Sequence, residues 1–251
     1  MKSKVIRFNV DFPSRTGVQV RKGYVYLPKG YSNEEKYPVL YMFDGHNVFF
    51  DEDATFGKSW GMKEYLDCTS TKIIVVGIEC YNEDYGRMIE YSPYPIALMK
   101  TKKGYGDETM KWFVKTLKPF IDSTYSTLPN RSNTFIMGSS MGGLMSTYAL
   151  IKYNKYFSRA AALSPAYSIV EKYLMEDLKN CKVAAGTTLY MDYGTKDLEG
   201  IKEHKTIDKV YKVLSEKGVN ITYRCVYNGK HNEATWEKQL PIVFGTLLYE
   251  K

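Results

Sequence analysis

The sequence predicts an α/β fold, with a mostly parallel central sheet, helices on both faces and an antiparallel N-terminal edge. Two observations carry this. From residue 134 onward, short apolar runs alternate with helix-length segments, the pattern of successive βαβ units. Ahead of them, two β-type segments follow one another with no helix between, as an antiparallel edge does. A chain of 251 residues with 44% hydrophobic and 25% charged residues is long enough to bury a large core, so one domain over 1–251 is expected.

Residues 5–10 and 18–27, the latter ended by Pro28, read as the two edge strands. Residues 31–37 form a polar turn. The apolar run 39–43 has the length of a buried strand, 60–66 of a short helix, and 72–79 of a second buried strand rich in β-branched residues. A long irregular stretch, 81–104, contains Gly86, Pro93 and Pro95. Residues 106–121 have helical periodicity. Strands are then expected at 134–137, 160–164, 188–193 and 220–227, with helices at 144–153, 169–178, 199–217 and 234–250. In such a sheet, function sits at the carboxyl ends of the strands.

The run Gly138-Ser139-Ser140-Met141-Gly142 fits G-x-S-x-G between a strand and a helix, the setting of a nucleophile elbow. The serine of such an elbow sits on a strained turn, and side chains two residues to either side would strike the adjoining strand and helix. Only Ser140 has glycine at both of those positions, so it is the candidate nucleophile.

Three histidines narrow the choice of general base. In the α/β-hydrolase order the base follows the acid, which follows the serine. His46 precedes Ser140. His204 falls inside the helix at 199–217 and reads as an exposed helical residue. His231 follows the last strand, where the base belongs. The acid should end the strand before. Asp192 lies within that strand, so Asp197, beyond Gly194, is the better placed, with Glu199 in reserve. Two N–H donors should receive an oxyanion. One is the Met141 amide, at a helix N-terminus. The other belongs to the Asp44-Gly45-His46-Asn47 loop and is assigned to His46, with Gly45 and Asn47 as alternatives. Asp44 is expected to brace this loop.

With these residues in place the chain resembles the Putative esterase family of α/β-hydrolases, which includes enterochelin-esterase-like, feruloyl and acetylxylan esterases, S-formylglutathione hydrolase and mycolyltransferases. The resemblance spans nearly the whole chain. It rests on 37–49, 74–78, Arg87-Met-Ile-Glu-Tyr-Ser-Pro93, 138–143, Leu163-Ser-Pro165, Gly194-Thr-Lys-Asp197 and His231-Asn232-Glu233 with Trp236. His46 stands where such proteins often have glutamine, and Asp197 where close relatives often have glutamate. The resemblance implies an α/β-hydrolase fold and a serine carboxylesterase acting on a small-molecule or carbohydrate-linked acyl ester. An acyltransferase with the same triad, or a silent binding protein on the same fold, are the alternatives.

Trp60, Arg87 and Tyr91 are candidate substrate contacts. For Arg87 an internal pair with Glu90 is the favoured reading, and for Trp60 core packing is equally open. Most of the 23 tyrosines read as core and surface filler. The net charge of +7 comes from scattered lysines. Lys111, Lys115 and Lys118 share a helical face and read as solvated surface. With no basic block, a nucleic-acid partner is not expected. No apolar run has the length of a membrane span, so no membrane partner is expected. The first ten residues carry no apolar h-region, from which a cytoplasmic location is expected. Cys68, Cys80, Cys181 and Cys225 lack CxxC or zinc-like spacing and read as free thiols. No metal or other cofactor is expected.

Overall fold

The computed structural model describes residues 2–81, 84–101, 103–197 and 203–248, except the side chain of Leu98. Their strands form one eight-stranded sheet: β1 (Lys4–Ser14), β2 (Gly17–Leu27), β3 (Val39–Phe43), β4 (Ile74–Ile78), β5 (Thr134–Ser139), β6 (Arg159–Leu163), β7 (Thr188–Gly194) and β8 (Asn220–Val226), in the order β1-β2-β4-β3-β5-β6-β7-β8. β1 pairs with β2, and β2 with β4, antiparallel. Every other pairing is parallel. This is the expected sheet, antiparallel edge included, and it has the α/β-hydrolase architecture.

β3 and β4 are buried along their whole length, which explains why they read as unbroken apolar runs. Alternate residues face opposite ways, and the core divides accordingly. Val39, Tyr41, Phe43, Ile74 and Val76 pack on one face; Leu40, Met42 and Val75 pack on the other.

The helices are α1 (Met62–Thr69), α2 (Gly86–Glu90), α3 (Gly106–Trp112), α4 (Lys118–Thr124), α5 (Met141–Lys152), α6 (Glu171–Asn180), α7 (Glu203–Glu216), α8 (Glu233–Glu237) and α9 (Leu240–Leu248). Four sequence expectations need correction. The stretch 81–104 is not wholly irregular, because α2 and a 3₁₀ turn at Ala97–Met99 lie in it. The helix at 106–121 is α3 and α4 joined by a π turn, Phe113–Leu117. Pro119 explains the turn: it has no N–H, and its ring crowds the carbonyl four residues back, so the hydrogen-bond ladder loosens there. The helix at 234–250 is split into α8 and α9, and Pro241 falls in the first turn of α9, where a missing N–H costs nothing. Lys118 is not solvated surface. It is buried, with Nζ donating to Asp122 Oδ2 at 2.7 Å and to the Pro129 carbonyl at 2.8 Å.

Among the described residues no cysteine forms a disulfide. Among the described residues no helix is long and apolar enough to cross a membrane. Glu199, the reserve acid, lies outside the described residues.

Candidate active site

Asp44, Ser140, Asp197 and His231 lie just beyond the carboxyl ends of β3, β5, β7 and β8. Ser140, His231 and Asp44 line one cleft of about 200 Å³ together with His46, Phe56, Arg87, Glu233 and Trp236. A larger cavity of about 580 Å³ opens at the other end of the sheet, where β6, β7 and β8 begin at Arg159, Thr188 and Asn220. It contains none of the triad candidates.

Ser140 joins β5 directly to α5, with φ 57° and ψ −122°. A non-glycine residue there is strained, and its neighbours hold it. Its N–H donates to the Leu163 carbonyl at 2.9 Å, and its carbonyl accepts from Ala166 at 3.0 Å. A Cβ on Gly138 would lie 2.7 Å from the Gly142 carbonyl carbon, so the glycine-flanked spacing is a steric need. Met141 is the first residue of α5, and its N–H points from the positive end of the helix dipole.

His231 lies in the turn between β8 and α8, and the Asn232 side chain caps α8 by accepting from the Thr235 N–H at 3.0 Å. His231 Nδ1 and Asp197 Oδ1 are 2.5 Å apart. The loops bearing them are laced together: the Thr195 and Lys196 N–H groups donate to the Val226 and Gly229 carbonyls at 3.0 and 2.9 Å. Burial alone would raise the Asp197 pKa. The hydrogen bonds with His231 and the Ser164 hydroxyl outweigh it and hold the carboxyl below its ordinary range. The edge of His231 meets the Trp236 ring, with centroids 5.1 Å apart at 81°. The Trp236 indole N–H donates to Ser164 Oγ at 3.0 Å.

Across the cleft, residues Gly45–Asn47 form one 3₁₀ turn after Asp44, itself left-handed at φ 55°. Gly45 sits directly on β4, where a Cβ would come within 2.4 Å of the Gly77 carbonyl carbon. Neither the His46 nor the Met141 N–H has a main-chain acceptor among the described residues. The His46 ring is buried, which lowers its pKa, and its Nε2 is 2.9 Å from Thr55 Oγ1. Asp44 is fully buried. Burial would raise its pKa, but the Arg87 guanidinium pulls it below normal.

That contact corrects the reading of Arg87. Its partner is Asp44, through Nε–Oδ1 at 2.6 Å and Nη2–Oδ2 at 2.7 Å, while Glu90 pairs with the buried Arg21 at 2.5 Å. Arg87 lines the cleft, but its guanidinium is committed to the loop, in a bidentate bond that fixes both groups. Asp44 therefore braces the loop as expected. Tyr91 and Trp60 are not placed as substrate contacts. Tyr91 is buried, with its hydroxyl accepting from the Asp44 N–H at 3.0 Å. Trp60 is buried and stacks on Trp236 with centroids 5.6 Å apart. His204 is exposed on α7, as read.

Sequence reasoning gave no role to Ser164, Glu233 or Phe56. Ser164 directly follows β6, at φ 42°, and the strand-end rule could have found it. Glu233 is buried in the cleft wall, which raises its pKa, and it accepts from Asn47 Nδ2 at 3.4 Å. Glu233 stood in the His231-Asn232-Glu233 motif without a role, and no local signal marked Phe56.

A family model described as Putative esterase matches residues 15–247. The "Uncharacterized protein YbbA" of Bacillus subtilis (strain 168) is 24% identical over 217 residues, covering 82% of each chain. Among solved structures, a ferulic acid esterase superposes with TM-score 0.75 at 20% identity, over 99% of this chain and 100% of that one. An IroE-like serine hydrolase from Shewanella oneidensis superposes with TM-score 0.72 at 23% identity, over 96% and 79%.

Proposed function

The chain belongs to the Putative esterase family, and from that premise we propose that it is a serine carboxylesterase working through Ser140, His231 and Asp197. The observation that carries this is the 2.5 Å His231–Asp197 contact in a cleft shared with the strained Ser140. Asp197 holds the imidazole with Nδ1 protonated, leaving Nε2 as the base. Nε2 takes the Ser140 proton as Oγ attacks the ester carbonyl. The tetrahedral oxyanion is received by the Met141 and His46 N–H groups, which have no competing main-chain acceptor among the described residues. Collapse expels the alcohol, which takes the proton back from the imidazolium. Water then enters and gives a proton to Nε2 as its oxygen attacks the acyl carbon; collapse releases the acid, and the departing Ser140 Oγ takes that proton back from the imidazolium. The IroE-like neighbour, named a serine hydrolase, has the same fold and is consistent with this chemistry.

The test is p-nitrophenyl acetate turnover with fluorophosphonate labelling of Ser140. Ser140→Ala should lose labelling and roughly 10⁴-fold or more in kcat. Turnover by Ser140→Ala equal to that of the unsubstituted protein would overturn the proposal. Product analysis with added alcohols separates hydrolysis from acyl transfer.

A further inference from the structure

Phe56 is 81% exposed and lines the same cleft as Ser140 and His231. A lone exposed apolar residue on a loose loop would mean little. The Phe56 turn is not loose. The Ala54 and Gly57 N–H groups donate to the Asp51 and Ala54 carbonyls at 3.3 and 3.0 Å, and the Asp51 carboxylate accepts from the Ser59 N–H and hydroxyl, both at 2.7 Å. From outside, Arg7 grips Asp53 at 2.7 Å.

The turn is also fastened to the oxyanion loop. The Thr55 N–H donates to Asn47 Oδ1 at 2.9 Å, and Thr55 Oγ1 meets the buried His46 ring at 2.9 Å. His46 is the residue whose main-chain N–H is assigned to the oxyanion. The fold therefore spends two side chains of the oxyanion loop on holding an aromatic ring at the mouth of the cleft, facing water.

The cleft's size says what that ring meets. At about 200 Å³ it is smaller than the roughly 300–1,000 Å³ usual for whole-ligand pockets. It accommodates the reacting carbonyl and a few neighbouring atoms, so the rest of any larger ester lies across the mouth. We infer that Phe56 is a specificity-determining residue whose ring receives an aromatic ring of the substrate, on either the acyl or the alcohol side of the ester. This rests on the serine-esterase reading above. Offset or edge-on ring contact, together with shared loss of water, supplies the preference.

Three esters with small partner groups separate the sources: methyl cinnamate (aromatic acyl), benzyl acetate (aromatic alcohol) and ethyl butyrate (neither). The readout is the ratio of kcat/KM for each aromatic ester to that for ethyl butyrate. Phe56→Ala should reduce one aromatic ratio by roughly tenfold, and that ratio identifies the side. Phe56→Trp should restore it. Thr55→Val, which removes the hydroxyl at His46, should reduce the same ratio by a smaller factor. Aromatic ratios in Phe56→Ala that match the unsubstituted protein would overturn the inference, as would failure of Phe56→Trp to restore a lost ratio. Activity that survives Ser140→Ala would instead overturn the reading of the reaction, so the two failures are distinguishable.

Discussion

Two buried aspartates flank Ser140, and they are treated in opposite ways. Asp44, at the end of β3, faces a bidentate arginine that more than offsets the cost of burial, and its pKa falls. Asp192, inside β7, is just as buried, and its hydrogen-bond donors are neutral: the Ser164 N–H at 3.0 Å and the Tyr190 hydroxyl at 2.7 Å. Burial dominates there, and its pKa rises to about 6. Asp44 is thus held by a full ion pair, whereas the hydrogen bonds Asp192 accepts come from neutral donors. A buried carboxylate is stabilising or costly according to its partner, not its depth.

The largest test of this contrast is Arg87→Leu. It strands the Asp44 carboxylate and should destabilise the protein by about 3–5 kcal/mol in urea unfolding. Replacing both residues by apolar ones should recover much of that loss. An Arg87→Leu effect below about 1 kcal/mol would erase the distinction between the two sides.

The two aspartates should also differ in the sign of their pH dependence. Asp44 has a depressed folded pKa, so its contribution is present above its ordinary value of 3.8 and is lost as pH falls below it. Asp192 has a raised one. The folded state keeps a proton that the unfolded chain releases, so stability falls as pH rises from 3.8 through about 6. Asp192→Asn removes that penalty. Relative to the unsubstituted protein, it should gain up to roughly 3 kcal/mol between pH 4 and pH 7. A gap that shrank over that range would contradict the assignment.

The smallest effect belongs to the neutral web. Trp236→Phe keeps the ring against His231 but removes the N–H given to Ser164. Stability should drop by about 1 kcal/mol, and kcat should fall by roughly fivefold with little change in KM. A larger loss in KM than in kcat would mean that Trp236 serves binding instead.

The candidate triad was legible because each member follows a strand, and strands announce themselves locally through apolar runs and turn residues. The sheet's parallel body and antiparallel edge were legible for the same reason. Arg87 was misread because Glu90, three residues on, is the next opposite charge along the chain. The real partner of Arg87 is 43 residues away, and that of Glu90 is 69. Tyr91 was placed at the substrate, and Trp60 was left open between pocket wall and core, for a related reason. An aromatic residue in a loop looks the same in sequence whether tertiary packing covers it or leaves it bare. Phe56 is the converse, an ordinary turn residue whose exposure only the folded chain reveals.

The backbone contact between Gly45 and Gly77 has a consequence for how this chain can change over time. A methyl group on either glycine would strike the other's main chain, at 2.4 Å in one direction and 2.8 Å in the other. No second substitution makes room, because the obstacle is peptide backbone and not a side chain. The two positions are therefore coupled: either can take a side chain only if β4 shifts away from the Asp44–Asn47 loop. Relatives carrying a larger residue at either position should have the Asp44–Asn47 loop displaced from β4.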